Sequence, residues 1–169
     1  MSQLGKTIAQ DLSRYYQERA EKIVELVQPL TAEQVWARPY PYGNSIGHLL
    51  LHLTGNLSYY VGTEIAGTRY VRNRPLEFGD TVQHPPEMLL KNFSDAVGMV
   101  RATLAKQAED DWSKPYTARG MEHAGDRFYA FTSCAAHLAH HTGQIIYLIK
   151  QIQKDPSVVR DEAKVAGNG

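Results

Sequence analysis

Four stretches of helical periodicity, each closed off by proline or glycine, decide what this chain can fold into. From about Leu4 to Val27, Ile8, Leu12, Tyr15 or Tyr16, Ile23 and Leu26 recur at the spacing of one helix face until Pro29 stops the run. Ser45 is a good N-cap for a second run that continues to about Ala66, before Gly67. Pro85 and Pro86, with Glu87 in the first turn, open a third that reaches about Gln107. A fourth extends from about Asp126 to Gln153. Between the first two, Thr31 and Gln34 are placed as a capping box for a short turn ending at Trp36, and ARPYPYGN then breaks the structure. No segment alternates strictly enough to demand a sheet. The expectation is an all-α fold, a four-helix bundle.

A length of 169 residues suits one helical domain, read as 1–155, followed by a flexible tail over 156–169. Lysine plus arginine equals aspartate plus glutamate at 18 each, so bulk charge gives no attraction to nucleic acid or to an anionic membrane. The one cysteine, Cys134, has no intrachain partner and sits in an apolar helical stretch, where it reads as a small buried hydrophobe. The N-terminal MSQLGKTIAQDLSRYYQ lacks the apolar centre of a signal peptide, and no apolar run is long enough to cross a bilayer. A soluble, cytoplasmic protein is expected.

Two connections of roughly sixteen residues exceed the usual link between bundle helices and are the natural place for pocket walls. The chemistry is carried by histidine. His52 lies in SIGHLLLHLTGN, and His137 and His141 lie about eighty positions later in CAAHLAHHTGQII. With about 100° of turn per residue, His52 falls nearer than His48 to the stripe Ile46, Leu50, Leu53, Leu57 and Val61, so His52 is the better inward candidate. In the fourth helix His141 falls about 40° and His137 about 80° from the stripe Cys134, Leu138, Ile145, Ile149 and Ile152. His137 and His141 form an i, i+4 pair that one metal ion can bridge. Three buried imidazoles without a metal or other partner would each leave a polar nitrogen unsatisfied, at about 1–3 kcal/mol apiece. His48 is expected to cap its helix, with substitution for His52 as the alternative, His140 to face solvent or a neighbouring subunit, and His84 and His123 to lie on surface loops.

These segments resemble a known family. LLLHLTGNL on the second helix, NRPLEF in the following loop and HLAHHTGQI on the fourth are similar to the DinB/YfiT-like family of metal-dependent enzymes, in order and spacing, over nearly the whole chain to about Lys150. The resemblance implies an up-down-down-up bundle, consistent with the two long connections. It also implies a metal triad at His52, His137 and His141, a divalent transition metal such as Zn or Ni, and a homodimer. It further implies a transferase or hydrolase acting on a small molecule, with a low-molecular-weight thiol as co-substrate.

A divalent ion held by three imidazoles keeps a coordination position open and lowers the pKa of water or a thiol placed there. Asn56, Tyr59, Tyr60 and Gln144 are positioned to line the same cavity, with helix packing as the alternative for each; Glu64 is too far along to be a ligand. No general base can be named. Arg69, Arg72 and Arg74 can attract an anionic group, or else form ordinary ion pairs with Glu77 and Asp80. The competing reading of the chain is a non-catalytic stress-response or interaction protein whose histidines form a structural or vestigial site.

Overall fold

The computed structural model describes residues 2–40, 42–79 and 82–159. Four long helices make the bundle: α1 (Gln3–Val27), α3 (Ile46–Leu57), α5 (Pro86–Ala105) and α6 (Arg127–Lys154). Short helices α2 (Ala32–Trp36) and α4 (Arg74–Gly79) lie in the connections. The start signals work as the sequence proposes. Thr31 and Gln34 form a reciprocal capping box, Ser45 Oγ accepts from the His48 backbone, and Asp126 caps α6 through the Tyr129 N–H.

Contacts fix the helix directions. Ser2 donates from Oγ to Glu109 just beyond α5, and Arg101 donates to Ser13, so α1 and α5 run antiparallel. His52 of α3 meets His137 of α6, and Tyr60 further along shares a cleft with Cys134, so α3 and α6 are also antiparallel. Each of α1 and α6 packs on a neighbour in the ring α1–α5–α3–α6. Gly47 at the start of α3 lies against Trp36, whose indole donates to the His84 carbonyl just before α5, and Gly62 beyond the end of α3 lies against Met99 further along α5, so α3 and α5 run parallel and the order is up-down-down-up.

The core sits among these four helices. The stripe Ile46, Leu50, Leu53, Leu57 and Val61 is fully buried. It faces Phe93, Val97 and Val100 of α5 and Cys134, Leu138 and Ile145 of α6, all buried. Burying each such leucine or isoleucine contributes about 1.5–3 kcal/mol. One polar tie crosses it: the Tyr16 hydroxyl donates to the Phe131 carbonyl at 2.7 Å.

Four elements depart from the sequence reading. The second run does not stay α-helical to Ala66; from Ser58 to Thr63 it loosens into a π-helical turn, with Glu64 N–H bonding Tyr59 O and Ala66 N–H bonding Val61 O. Such turns re-aim side chains and recur at functional sites. The loop containing NRPLEF holds α4. The connection before α6 holds a two-residue antiparallel ladder, β1 (Pro115–Tyr116) with β2 (Gly125–Asp126). Pro156–Val159, read as tail, forms a tight turn whose Val158 and Val159 pack on the bundle. Residues 160–169 and Asp80 lie outside the described residues. Among the described residues no helix is long and apolar enough to cross a membrane.

Candidate metal centre

Because α3 and α5 are parallel, the chain between them must travel back along the bundle, and α4 packs on α3 as it returns. That crossover delivers a carboxylate to the rear of the first histidine. His52 Nδ1 lies 2.7 Å from Glu77 Oε2. Glu77 in turn receives two hydrogen bonds from one guanidinium, Arg72 Nε to Oε1 at 2.6 Å and Nη2 to Oε2 at 2.8 Å. Glu77 is only 5% exposed. Burial pushes its carboxyl up, but the Arg72 and His52 hydrogen bonds and their charges outweigh this and hold it below the ordinary carboxylate value. An ionised carboxylate only accepts, so Nδ1 of His52 carries the proton and Nε2 presents its lone pair inward.

The same logic orients His141. Its Nδ1 lies 2.6 Å from Gln144 Oε1, and the Gln144 amide nitrogen reaches His140 Nε2 at 3.1 Å. Nδ1–H donates to the carboxamide oxygen, leaving the Nε2 lone pair free. That atom is buried and has no hydrogen-bond partner. His137 completes the group, its Nε2 standing 2.8 Å from His52 Nε2.

One ligating nitrogen from each of His52, His137 and His141 lies within 4.8 Å of the other two. Two nitrogens bound at about 2.0–2.1 Å to one tetrahedral ion sit about 3.3 Å apart, inside this range. Three inward nitrogens, two with tautomers set from behind, are a donor set that fits a divalent transition metal. Burial, followed by the neighbouring imidazoles, pushes the pKa of His137 down to about 3. Burial likewise pushes His141 down to about 4, against the opposing effect of Gln144. Both rings are neutral at ordinary pH, the form that ligates.

His52 and His137 form part of the wall of a cleft of about 1170 Å³, which also takes in Asn56, Tyr59, Tyr60, Arg72, Arg74, Arg119 and His123. His141 lies behind them. The π-turn aims the two tyrosines: Tyr60 donates to the Arg119 carbonyl, and its own carbonyl accepts from Tyr116 at 3.0 Å. Asn56 is 6% exposed, and its Oδ1 is buried without a partner. Cys134, on the cleft wall, is buried and its thiol is pushed up to about 12 by that burial.

Other positions fall elsewhere. Gln144 supports His141 from outside the cleft, and Arg69 is exposed and away from it. The Arg72 fork is taken up by Glu77, while Arg74 lines the cleft over the Phe78 ring, 5.6 Å from its centroid. His48 caps α3, its Nδ1 2.6 Å from Ser45 Oγ, and His140 is exposed. His123 reaches the cleft. The role of Glu77 was missed in the sequence; the available signal was its place five residues after Arg72 and three after Arg74 in a connection that has to cross α3.

A family model described as "Protein of unknown function (DUF1572)" matches residues 4–159. No curated protein matches the chain. Among solved structures, the crystal structure of a conserved protein from Enterococcus faecalis superposes with a TM-score of 0.71 at 16% identity, covering 86% of this chain and 97% of the other. At that identity the likeness is one of fold.

Proposed function

The chain belongs to the DUF1572 family, and we propose that it is a metal-dependent enzyme acting on a small molecule, with His52, His137 and His141 holding one divalent transition-metal ion, Zn or Ni. The observation that carries the reading is the buried Nε2 of His141, which lacks any partner while two further imidazole nitrogens converge on the same spot. The segments LLLHLTGNL and HLAHHTGQI, together with the up-down-down-up order, support placing the chain among DinB/YfiT-like bundles.

The chain's residues divide the work. Glu77 and Gln144 hold two rings with their lone pairs inward, and Arg72 keeps Glu77 ionised. His52 and His137 present the centre to the cleft, so a small molecule entering there meets it directly. A bound ion supplies Lewis acidity and lowers the pKa of a ligand at its open position. Tyr59, Tyr60 and Asn56 shape the wall beside it. Cys134 stays protonated, so a thiol taking part in the reaction comes from outside the chain. A low-molecular-weight thiol as co-substrate and assembly as a homodimer belong to the same proposal.

The test begins with protein purified without chelators. Elemental analysis is expected to find close to one transition metal per chain, lost in His137→Ala. Metal-free wild type, or unchanged retention in the variant, would sink the metal centre. A panel of thiols with electrophilic acceptors, run on the loaded protein beside light scattering, then reads turnover and assembly. A loaded protein inert to the whole panel overturns the thiol-transfer part.

A further inference from the structure

The cleft in front of the histidines has an unbalanced charge. Its lining includes Arg72, Arg74 and Arg119 and contains no aspartate or glutamate among the described residues. Arg72 is neutralised by Glu77. Arg74 has no carboxylate partner among the described residues; its guanidinium lies over Phe78, and Phe78 packs on His52 with ring centroids 4.8 Å apart. Arg119 makes no direct ion pair among the described residues, although its charge helps hold the nearby Glu122 carboxyl low, and its carbonyl is held by Tyr60. Two guanidiniums without a direct ion pair among the described residues thus line the same cleft as the imidazoles, beside an apolar wall of Val71, Pro75 and Met121.

We infer that Arg74 and Arg119 form an oxyanion subsite, and that the substrate is a small molecule carrying a carboxylate or phosphate group on a partly apolar body. The inference rests on the proposed function in taking the histidine centre as the reacting end, and it names the substrate class of that site. A guanidinium binds either oxyanion through paired N–H donors. A concave site of one charge sign raises the local concentration of the opposite ion and speeds its arrival. Phe78 lies between the guanidinium of Arg74 and the ring of His52, so the anionic end of the ligand is kept off the imidazoles. Of the three arginines singled out in the sequence, only Arg74 has this role, and Arg119 comes from the connection before α6.

The test titrates the full chain, stripped of metal by chelation, with succinate and separately with inorganic phosphate. Side-chain guanidinium N–H resonances are followed by NMR and assigned through Arg74→Gln and Arg119→Gln; Arg14→Gln, on the exposed face of α1, is the control. Saturable shifts of Arg74 and Arg119 are expected for at least one anion, with affinity falling about tenfold or more in either cleft variant and unchanged in the control. A response to succinate alone assigns a carboxylate, and to phosphate alone a phosphate. No saturable shift, or equal affinity in all four proteins, overturns the subsite. Metal content is measured before stripping: protein that holds no metal yet shows the arginine response overturns the metal centre and keeps the subsite, and protein that holds metal without the response does the reverse.

Discussion

Gly55 and Glu77 occupy each other's space: a β-carbon built on Gly55 would fall on the Glu77 carboxylate, with Cδ only 3.0 Å away. The missing side chain on α3 is what lets the crossover bring a charged group against His52, one turn earlier on the same helix. Gly55→Ala is expected to push Glu77 off the imidazole. The cost is about 1–3 kcal/mol of stability from overpacking and about 10–100-fold in metal affinity from the lost support. Thermal unfolding and competitive metal titration read the two effects. A variant with full metal affinity would show that Glu77 does not support the centre.

Glu77→Gln keeps the volume and removes the charge. With Arg72 left buried and unpaired, a loss of about 3–5 kcal/mol is expected, and metal affinity should fall as in the glycine variant. Arg72→Met in the same background removes the stranded cation and should recover part of the stability while leaving affinity low. If the double variant regains both, Glu77 acts on the fold alone.

Stability of the metal-free protein should fall as the medium is acidified. His137 and His141 stay neutral in the folded chain down to about 3 and about 4, while the unfolded chain takes up their protons below the ordinary histidine value. The unfolded state therefore binds more protons across that window, and unfolding is favoured as pH drops through it. Glu77 adds to the same trend, because a carboxyl held low stabilises the fold above its unfolded value and loses that contribution as pH falls through its folded one. Urea midpoints between pH 4 and 7 should rise with pH, and the slope should flatten in a His137→Gln, His141→Gln double variant. An equal slope in that variant would contradict the assignment.

Cys134 should be inert in the folded protein. Its thiol is buried and pushed up to about 12, so almost no thiolate exists at pH 8. An aromatic disulfide reagent is expected to react only after denaturant is added. Rapid stoichiometric labelling of the native chain would reopen cysteine chemistry in the cleft.

Much of this was legible in the residues themselves. The four helices followed from apolar periodicity and end signals, because helical phase is a local property, and His52 was separated from His48 by its angle together with the family resemblance. Ser45 and the Thr31–Gln34 pair also read correctly, since caps are set within four residues. Illegible were the relationships created by assembly. Arg72 and Glu77 look like surface charges in a polar loop until the parallel pairing of α3 and α5 carries that loop across His52. Gln144 was expected at the cavity, but it supports His141 from outside, a distinction that depends on which neighbour covers α6. The π-turn at Ser58 and the two-residue ladder leave no periodicity to detect.

The crossover between the parallel helices separates two kinds of inheritance. The candidate ligands are built into packed helices, where most exchanges cost the whole fold. Arg72, Glu77 and Arg74 ride on an external connection of the sort that tolerates insertion and drift. A lineage with this architecture can change the support behind its histidine cluster, and the charge of the cleft in front of it, by editing a surface segment while the helices stay as they are.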